Sequence, residues 1–172
     1  MKKFVCAAFM AAVLSSPVFA ADFNGPYAGV GATVDNVNGS GALEGIGLSG
    51  AGATAFAGYD MPLGGMFVGV EGNIDLNTAD VAGVEAKWGW GASIRTGAKL
   101  NESTGAYVRA GYQRNKVSVA GFGSGWGDGV RFGGGIETGI SEKLSLRAEF
   151  NHVNFESDLV NNQGVIALVF GF

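Results

Sequence analysis

Seven ionisable residues stand in a common pattern: Glu71, Arg95, Arg109, Arg131, Glu137, Arg147 and Glu149 each sit in an alternating stretch, sharing their parity with glycine or polar residues. The opposite parity in the same stretches is apolar, so period two puts the charges on one surface and the hydrocarbon on the other. Glu71, Glu137 and Glu149 against Arg95, Arg109 and Arg147 make a balanced set. That is the chemistry of ion pairing. General acid–base work needs a carboxyl group free to exchange a proton, and acids matched by guanidinium groups are poorly suited to it. One His and one Cys in the whole chain give no metal cluster, and no cofactor is expected. The run Gly121-Phe122-Gly123-Ser124-Gly125-Trp126-Gly127 has the glycine density of a phosphate-cradling loop. It lacks the following Lys-Ser/Thr and the strand-to-helix setting that such a loop needs.

The elements that would carry these residues are strands. Alternation predicts eight, over 27–35, 50–59, 66–77, 87–100, 106–115, 129–140, 144–152 and 164–172. The second is ambiguous in its facing, because Phe56 and Tyr59 have opposite parity. The spacers alternate in length. Residues 60–65, 101–105 and 141–143 read as short turns, while 37–49, 78–86, 116–128 and 153–161 read as longer solvated loops that include Trp126. An even number of strands with this alternation is an antiparallel up-and-down barrel, with both termini and the short turns at the periplasmic end.

Charge decides which face is lipid. An Arg or Lys on the lipid face costs about 2–4 kcal/mol near the bilayer midplane, so four outward arginines would cancel most of a stability of ~5–15 kcal/mol. Arg95, Arg109, Arg131 and Arg147 therefore face inward, the inverse of a soluble barrel with an apolar interior. An eight-stranded lumen is just wide enough to be filled by side chains, which favours a plugged polar core. The glycines on the inward parity, Gly29, Gly31, Gly89, Gly91, Gly111, Gly133 and Gly135, keep open a narrow wet conduit beside the arginines. Tyr27, Tyr59, Trp88, Trp90 and Tyr112 near strand ends are expected as interfacial aromatics.

Residues 1–20 read as an export signal: Lys2 and Lys3, an apolar run too short to span a bilayer as a helix, then a breaker and Ala20 before the cut. The mature domain is 21–172, without cysteine because Cys6 lies in the leader. Losing two of the eleven Lys and Arg residues leaves nine against fifteen Asp and Glu, a formal charge of −6. Nucleic acid is not an expected partner. The last stretch is an alternating strand with Ile166, Leu168, Phe170 and Phe172 on one face.

That aromatic terminus resembles the carboxy-terminal insertion signal of bacterial outer-membrane β-barrels, which implies recognition by the barrel assembly machinery and periplasmic chaperones. Across the mature chain, Tyr27-Ala28-Gly29-Val30-Gly31, Ala57-Gly58-Tyr59-Asp60, Val68-Gly69-Val70-Glu71-Gly72 and Leu146-Arg147-Ala148-Glu149-Phe150 resemble the opacity-type, porin-family small outer-membrane proteins of Gram-negative bacteria. The resemblance implies an integral, non-enzymatic barrel among outer-membrane lipid and lipopolysaccharide, contributing to envelope structure or surface properties. A narrow porin and an adhesin acting through the outer loops are the alternatives; oligomeric state is left open. Lipid A deacylases are similar in carrying a His on a late strand, but their Ser two residues later is replaced by Asn154 after His152, so no hydroxyl nucleophile stands at that spacing.

Overall fold

The computed structural model describes residues 23–39, 47–77, 80–81, 84–119, 123–156 and 159–172; the leader read over 1–20 lies outside them. Eight long strands run in chain order: β1 (Gly25–Gly39), β2 (Gly47–Leu63), β3 (Met66–Asn77), β4 (Val84–Lys99), β5 (Thr104–Val119), β6 (Gly123–Gly139), β7 (Leu144–Phe155) and β8 (Leu159–Gly171). Each pairs antiparallel with the next, and β1 pairs with β8, from Tyr27 against Gly171 to Gly39 against Leu159. The sheet is closed. A two-residue strand, Asp80–Val81, pairs with the start of β4 between β3 and β4.

Register gives the pitch. A row of partners starting at Tyr59 on β2 passes through Val70, Ile94, Ala110, Phe132, His152, Asn162 and Asn36, and returns to β2 at Ser49, ten positions from its start. Such a stagger tilts the strands by roughly 35–45° from the barrel axis. Both described ends of the chain lie at the end with the short turns. The tightest turn is Gly64-Gly65, where Gly64 has φ of 66°, the left-handed conformation a two-residue hairpin needs at its first central position.

Several strands run beyond their sequence limits. β2 continues through Asp60, Met61 and Pro62, which the sequence places in a turn, and β5 and β6 take in most of the expected loop 116–128. Crossing a bilayer takes about 9–11 residues, so the sixteen of β5 and seventeen of β6 carry this hairpin past it at the loop end. There the ladder persists without the apolar face that marks the spanning part.

Parity resolves as inward polar and outward apolar. On β2, Thr54, Phe56 and Asp60 point inward and are buried, while Tyr59, Met61 and Leu63 point outward. The outward surface carries Val30, Val70, Ile74, Ile94, Val108, Phe132, Ile136 and Leu168, all 40–62% exposed. Together they make a contiguous apolar surface of a kind that soluble monomers do not leave to water. A bilayer takes it up.

Candidate functional site

The lumen is the only large polar assembly among the described residues. At its turn end the planar guanidinium of Arg95 forms a two-pronged pair with Asp60, Nε donating at 2.9 Å to Oδ1 and Nη2 to Oδ2, while Nη1 donates to Glu137 at 3.4 Å. Arg147 donates twice to Glu137, at 3.0 and 2.9 Å, and once to Glu71 at 2.6 Å. Rings fill the remaining faces. Arg95 Cζ lies 4.4 Å from the centroid of Tyr27, and Arg147 Cζ lies 4.4 Å from that of Phe56. Below them Phe23, just ahead of β1, stacks on Phe67 at 4.4 Å at the turn end.

At mid-depth Arg109 Nη1 lies 2.9 Å from both Glu71 and Glu149, and its Nη2 donates to Ser93 at 2.8 Å. Tyr27 donates to Glu71 at 2.9 Å and Tyr107 to Glu149. Toward the loop end the chemistry turns to amides. Arg131 donates to Asn73 at 3.0 Å and Asp75 at 2.9 Å, and Asp75 also accepts from Asn73 and Gln113. Asp35 accepts from Thr33, Asn161 and Gln163 at 2.8, 2.8 and 3.0 Å.

The structure thus brings Glu71, Arg95, Arg109, Glu137, Arg147 and Glu149 into one continuous network, with Arg131 in an adjoining one, all seven buried. Asp60, Asp75 and Tyr107 complete them and were not singled out from sequence. Phe67 and Phe56 likewise face inward. The signal was parity: Tyr107 shares it with Arg109, and Phe67 with Glu71.

One expectation is corrected here. Tyr27 is no interfacial aromatic; it is 6% exposed and bonded to Glu71 inside the barrel, as its shared parity with Gly29 and Gly31 requires. Beside the inward glycines the space is taken by side chains. A Cβ at Gly29 would come within 2.3 Å of the Phe56 ring, at Gly91 within 2.3 Å of Gln113, and at Gly133 within 2.2 Å of Asn151. Each of these glycines is the direct cross-strand partner of the large residue that occupies its space. Voids at mid-depth and toward the loop end measure about 10 Å³ each, at most the room for one water, while at the turn end a cavity of about 180 Å³ is lined by Tyr27, Asp60, Arg95 and Glu137.

Comparison with known proteins places this architecture. The family model described as "Outer membrane protein beta-barrel domain" matches residues 5–172. The chain belongs to this family. A 22 kDa outer membrane protein of Rhizobium leguminosarum bv. viciae is 30% identical over 115 residues, 63% of this chain and 54% of the relative; the chain therefore spans about half the length of that curated relative. Among solved structures, Neisserial surface protein A superposes with a TM-score of 0.65 at 16% identity, covering 87% of this chain and 98% of that one. Ail, the attachment invasion locus protein of Yersinia pestis, crystallised with the heparin analogue sucrose octasulfate, gives 0.62 at 14% identity over 87% and 99%. At such identities the likeness is one of fold. The protein is an eight-stranded barrel of the outer membrane.

On the outer-membrane barrel's lipid surface lie Ile166, Leu168 and Phe170, with Phe172 beyond the end of β8 and its N–H donating to Pro26 at 3.2 Å. Tyr59, Trp88, Trp90 and Tyr112 all face outward. Trp90 packs on Tyr112 at 5.7 Å. Trp126, expected in a loop, is on β6 instead, edge-on to Trp88 at 5.1 Å. His152 is exposed on the same outer surface, its Nδ1 2.9 Å from Asn162. No group of three or more His, Cys, Asp or Glu among the described residues is placed to hold a metal ion.

Proposed function

We propose that this protein is a non-enzymatic structural barrel with a plugged lumen, both termini periplasmic, contributing to envelope structure or surface properties. The observation that carries this reading is the filled middle of the lumen: Arg147, 1% exposed, is held by two carboxylates against aromatic rings, and the voids above it are no larger than a water, so the cavity of about 180 Å³ at the turn end stops there. A buried ion pair whose partners are fully hydrogen-bonded is a tolerable filling, and one without a partner is not. A conduit would need free volume along its length. Export by the leader 1–20, with recognition of Ile166, Leu168, Phe170 and Phe172 by the assembly machinery and chaperones, belongs to the same proposal. So does direct contact of the outward aromatics with lipopolysaccharide.

Planar-bilayer recording of the refolded protein is the test. A plugged barrel gives no stepwise current, and Glu149→Gln gives none either while lowering the unfolding midpoint. Stepwise current in the parent protein, with an unchanged midpoint in Glu149→Gln, would mean that the charges line a wet passage.

A further inference from the structure

Among the buried polar atoms that find no hydrogen-bond partner in the described residues, four belong to one place: Glu71 Oε1, Arg109 Nε, Arg131 Nε and Asn151 Oδ1. Register explains their grouping. Arg109 on β5 and Asn151 on β7 are the two cross-strand partners of Gly133 on β6, and Arg131 stands two residues along β6 on the same face. Glu71 comes from β3, its Oε1 lying 2.9 Å from Arg109 Nη1 but accepting no hydrogen bond. All four residues line the same void at mid-depth, about 10 Å³ in volume. A buried polar atom left unpaired forfeits the hydration it had in the unfolded chain, so four around one void call for a common partner.

What fits is set by bonding, charge and size. Two of the atoms are N–H donors and two are oxygen acceptors. The charged residues around the void, Glu71, Asp75 and Glu149 against Arg109, Arg131 and Arg147, balance three to three, so nothing there calls for an ion. A halide would satisfy the two donors but press against the oxygens of Glu71 and Asn151. A metal cation would satisfy the oxygens but face two guanidinium groups. Water is neutral, accepts two hydrogen bonds and donates two, and a void of this volume holds one.

We propose that this void is the binding site of a single trapped water, which accepts from Arg109 Nε and Arg131 Nε and donates to Glu71 Oε1 and Asn151 Oδ1. Such a water is a structural ligand of the barrel. It joins the guanidinium of Arg131 to that of Arg109, and with them the amide net around Asp75 to the ionic network toward the turn end. Asn151 is fixed for the part, because its amide N–H groups are already given to Glu149 at 2.7 Å and Gln163 at 3.3 Å, which leaves its oxygen as the group still to be used. The inference rests on the plugged reading of the lumen, since a conduit would exchange this water freely.

The test is NMR of the isotope-labelled protein refolded in detergent, with NOESY and ROESY transfer from water to the arginine Nε–H groups, beside planar-bilayer recording of the same preparation. Arg109 and Arg131 should each show a water cross peak of opposite sign in the two spectra, the mark of contact with a long-lived water; equal signs mark proton exchange. Arg147, whose Nε–H is donated to Glu137 at 3.0 Å, should show none. Thr54 lines the void, and its hydroxyl makes only a long bond of 3.5 Å to Ile74 C=O. Thr54→Leu therefore fills the space and should abolish both cross peaks. Absence of the peak at either arginine in a protein that passes no current, or persistence of both in a folded Thr54→Leu, would overturn the trapped water and leave the plug standing. Nε–H resonances that move when bromide replaces chloride would make the occupant a halide and overturn it equally. Stepwise current with water cross peaks at all three arginines would overturn the plugged reading, and the trapped water with it. Should Thr54→Leu not fold, the parent spectra decide alone.

Discussion

In the turn half of the lumen Arg95 and Arg147 are each gripped by two carboxylates and lie against the rings of Tyr27, Phe56, Phe67 and Tyr107. The loop half holds Arg131 in a net of amides around Asp75, and Asp35 among neutral donors. Both halves are full, by different means. A guanidinium sandwiched between rings and acids is dry, and its partners depend on it. An amide net spreads the same bonding over many neutral groups and survives the loss of one.

Removing one arginine from each half should separate these modes most widely. Arg147→Leu leaves Glu137 and Glu71 buried and short of a cation, and we expect a loss of about 3–5 kcal/mol. Arg131→Leu leaves Asp75 with Asn73 and Gln113, and the expected loss is about 1–3 kcal/mol. Urea unfolding followed by tryptophan fluorescence measures both. Equal losses would dissolve the distinction.

A smaller contrast separates the two kinds of glycine. Gly29→Ala drives a methyl group into Phe56 and should cost about 1–3 kcal/mol, whereas at Gly125, toward the loop end of β6, a Cβ meets nothing within 4 Å, and Gly125→Ala should change stability by less than about 1 kcal/mol, with a gain as the favoured sign. Thermal midpoints in one detergent suffice; a Gly125→Ala loss as large as that of Gly29→Ala would erase the contrast.

A modest effect belongs to the outer face. Trp126→Ala removes the edge-on contact with Trp88 and should cost about 0.5–1.5 kcal/mol, read as a shift in midpoint together with altered emission from Trp88. A loss as large as that of Arg147→Leu would put Trp126 in a structural role that its exposure argues against.

Eight strands and the lipid face were legible because lipid punishes an outward arginine, so Arg95, Arg109, Arg131 and Arg147 fix parity on four strands. Strand ends were not legible. Beyond the bilayer β5 and β6 continue through Arg114, Asn115, Lys116, Gly123, Ser124, Gly125 and Asp128, residues equally at home in a loop, with no alternating apolar face to mark the strand. Asp60 was hidden by Pro62, Gly64 and Gly65, which mark a turn that begins four residues later. Tyr27 sits near a strand end, where an aromatic suits both a membrane boundary and a lumen; its parity carried the answer. What occupies the space beside the inward glycines was not legible either. Period two says which way a residue points but not which residue faces it, and the pairing of Gly29 with Phe56 or Gly133 with Asn151 exists only once register is set.

The spacing of the lumenal bonds along the chain governs how the molecule can be made. Arg147 reaches Glu71 across 76 positions, Arg131 reaches Asn73 across 58, and Gln163 reaches Asp35 across 128. Contacts of such long range reward the chain only after most of its entropy is spent. If hairpins entered the bilayer singly, Arg95, Arg109 and Arg131 would shed their water long before an acid arrived, a state several kcal/mol uphill per ion, whereas Arg147 would carry Glu137 with it in the same hairpin. Those three charges are therefore expected to stay hydrated until distant strands meet, so that loss of lumenal water and closure of the barrel between β1 and β8 come late and together.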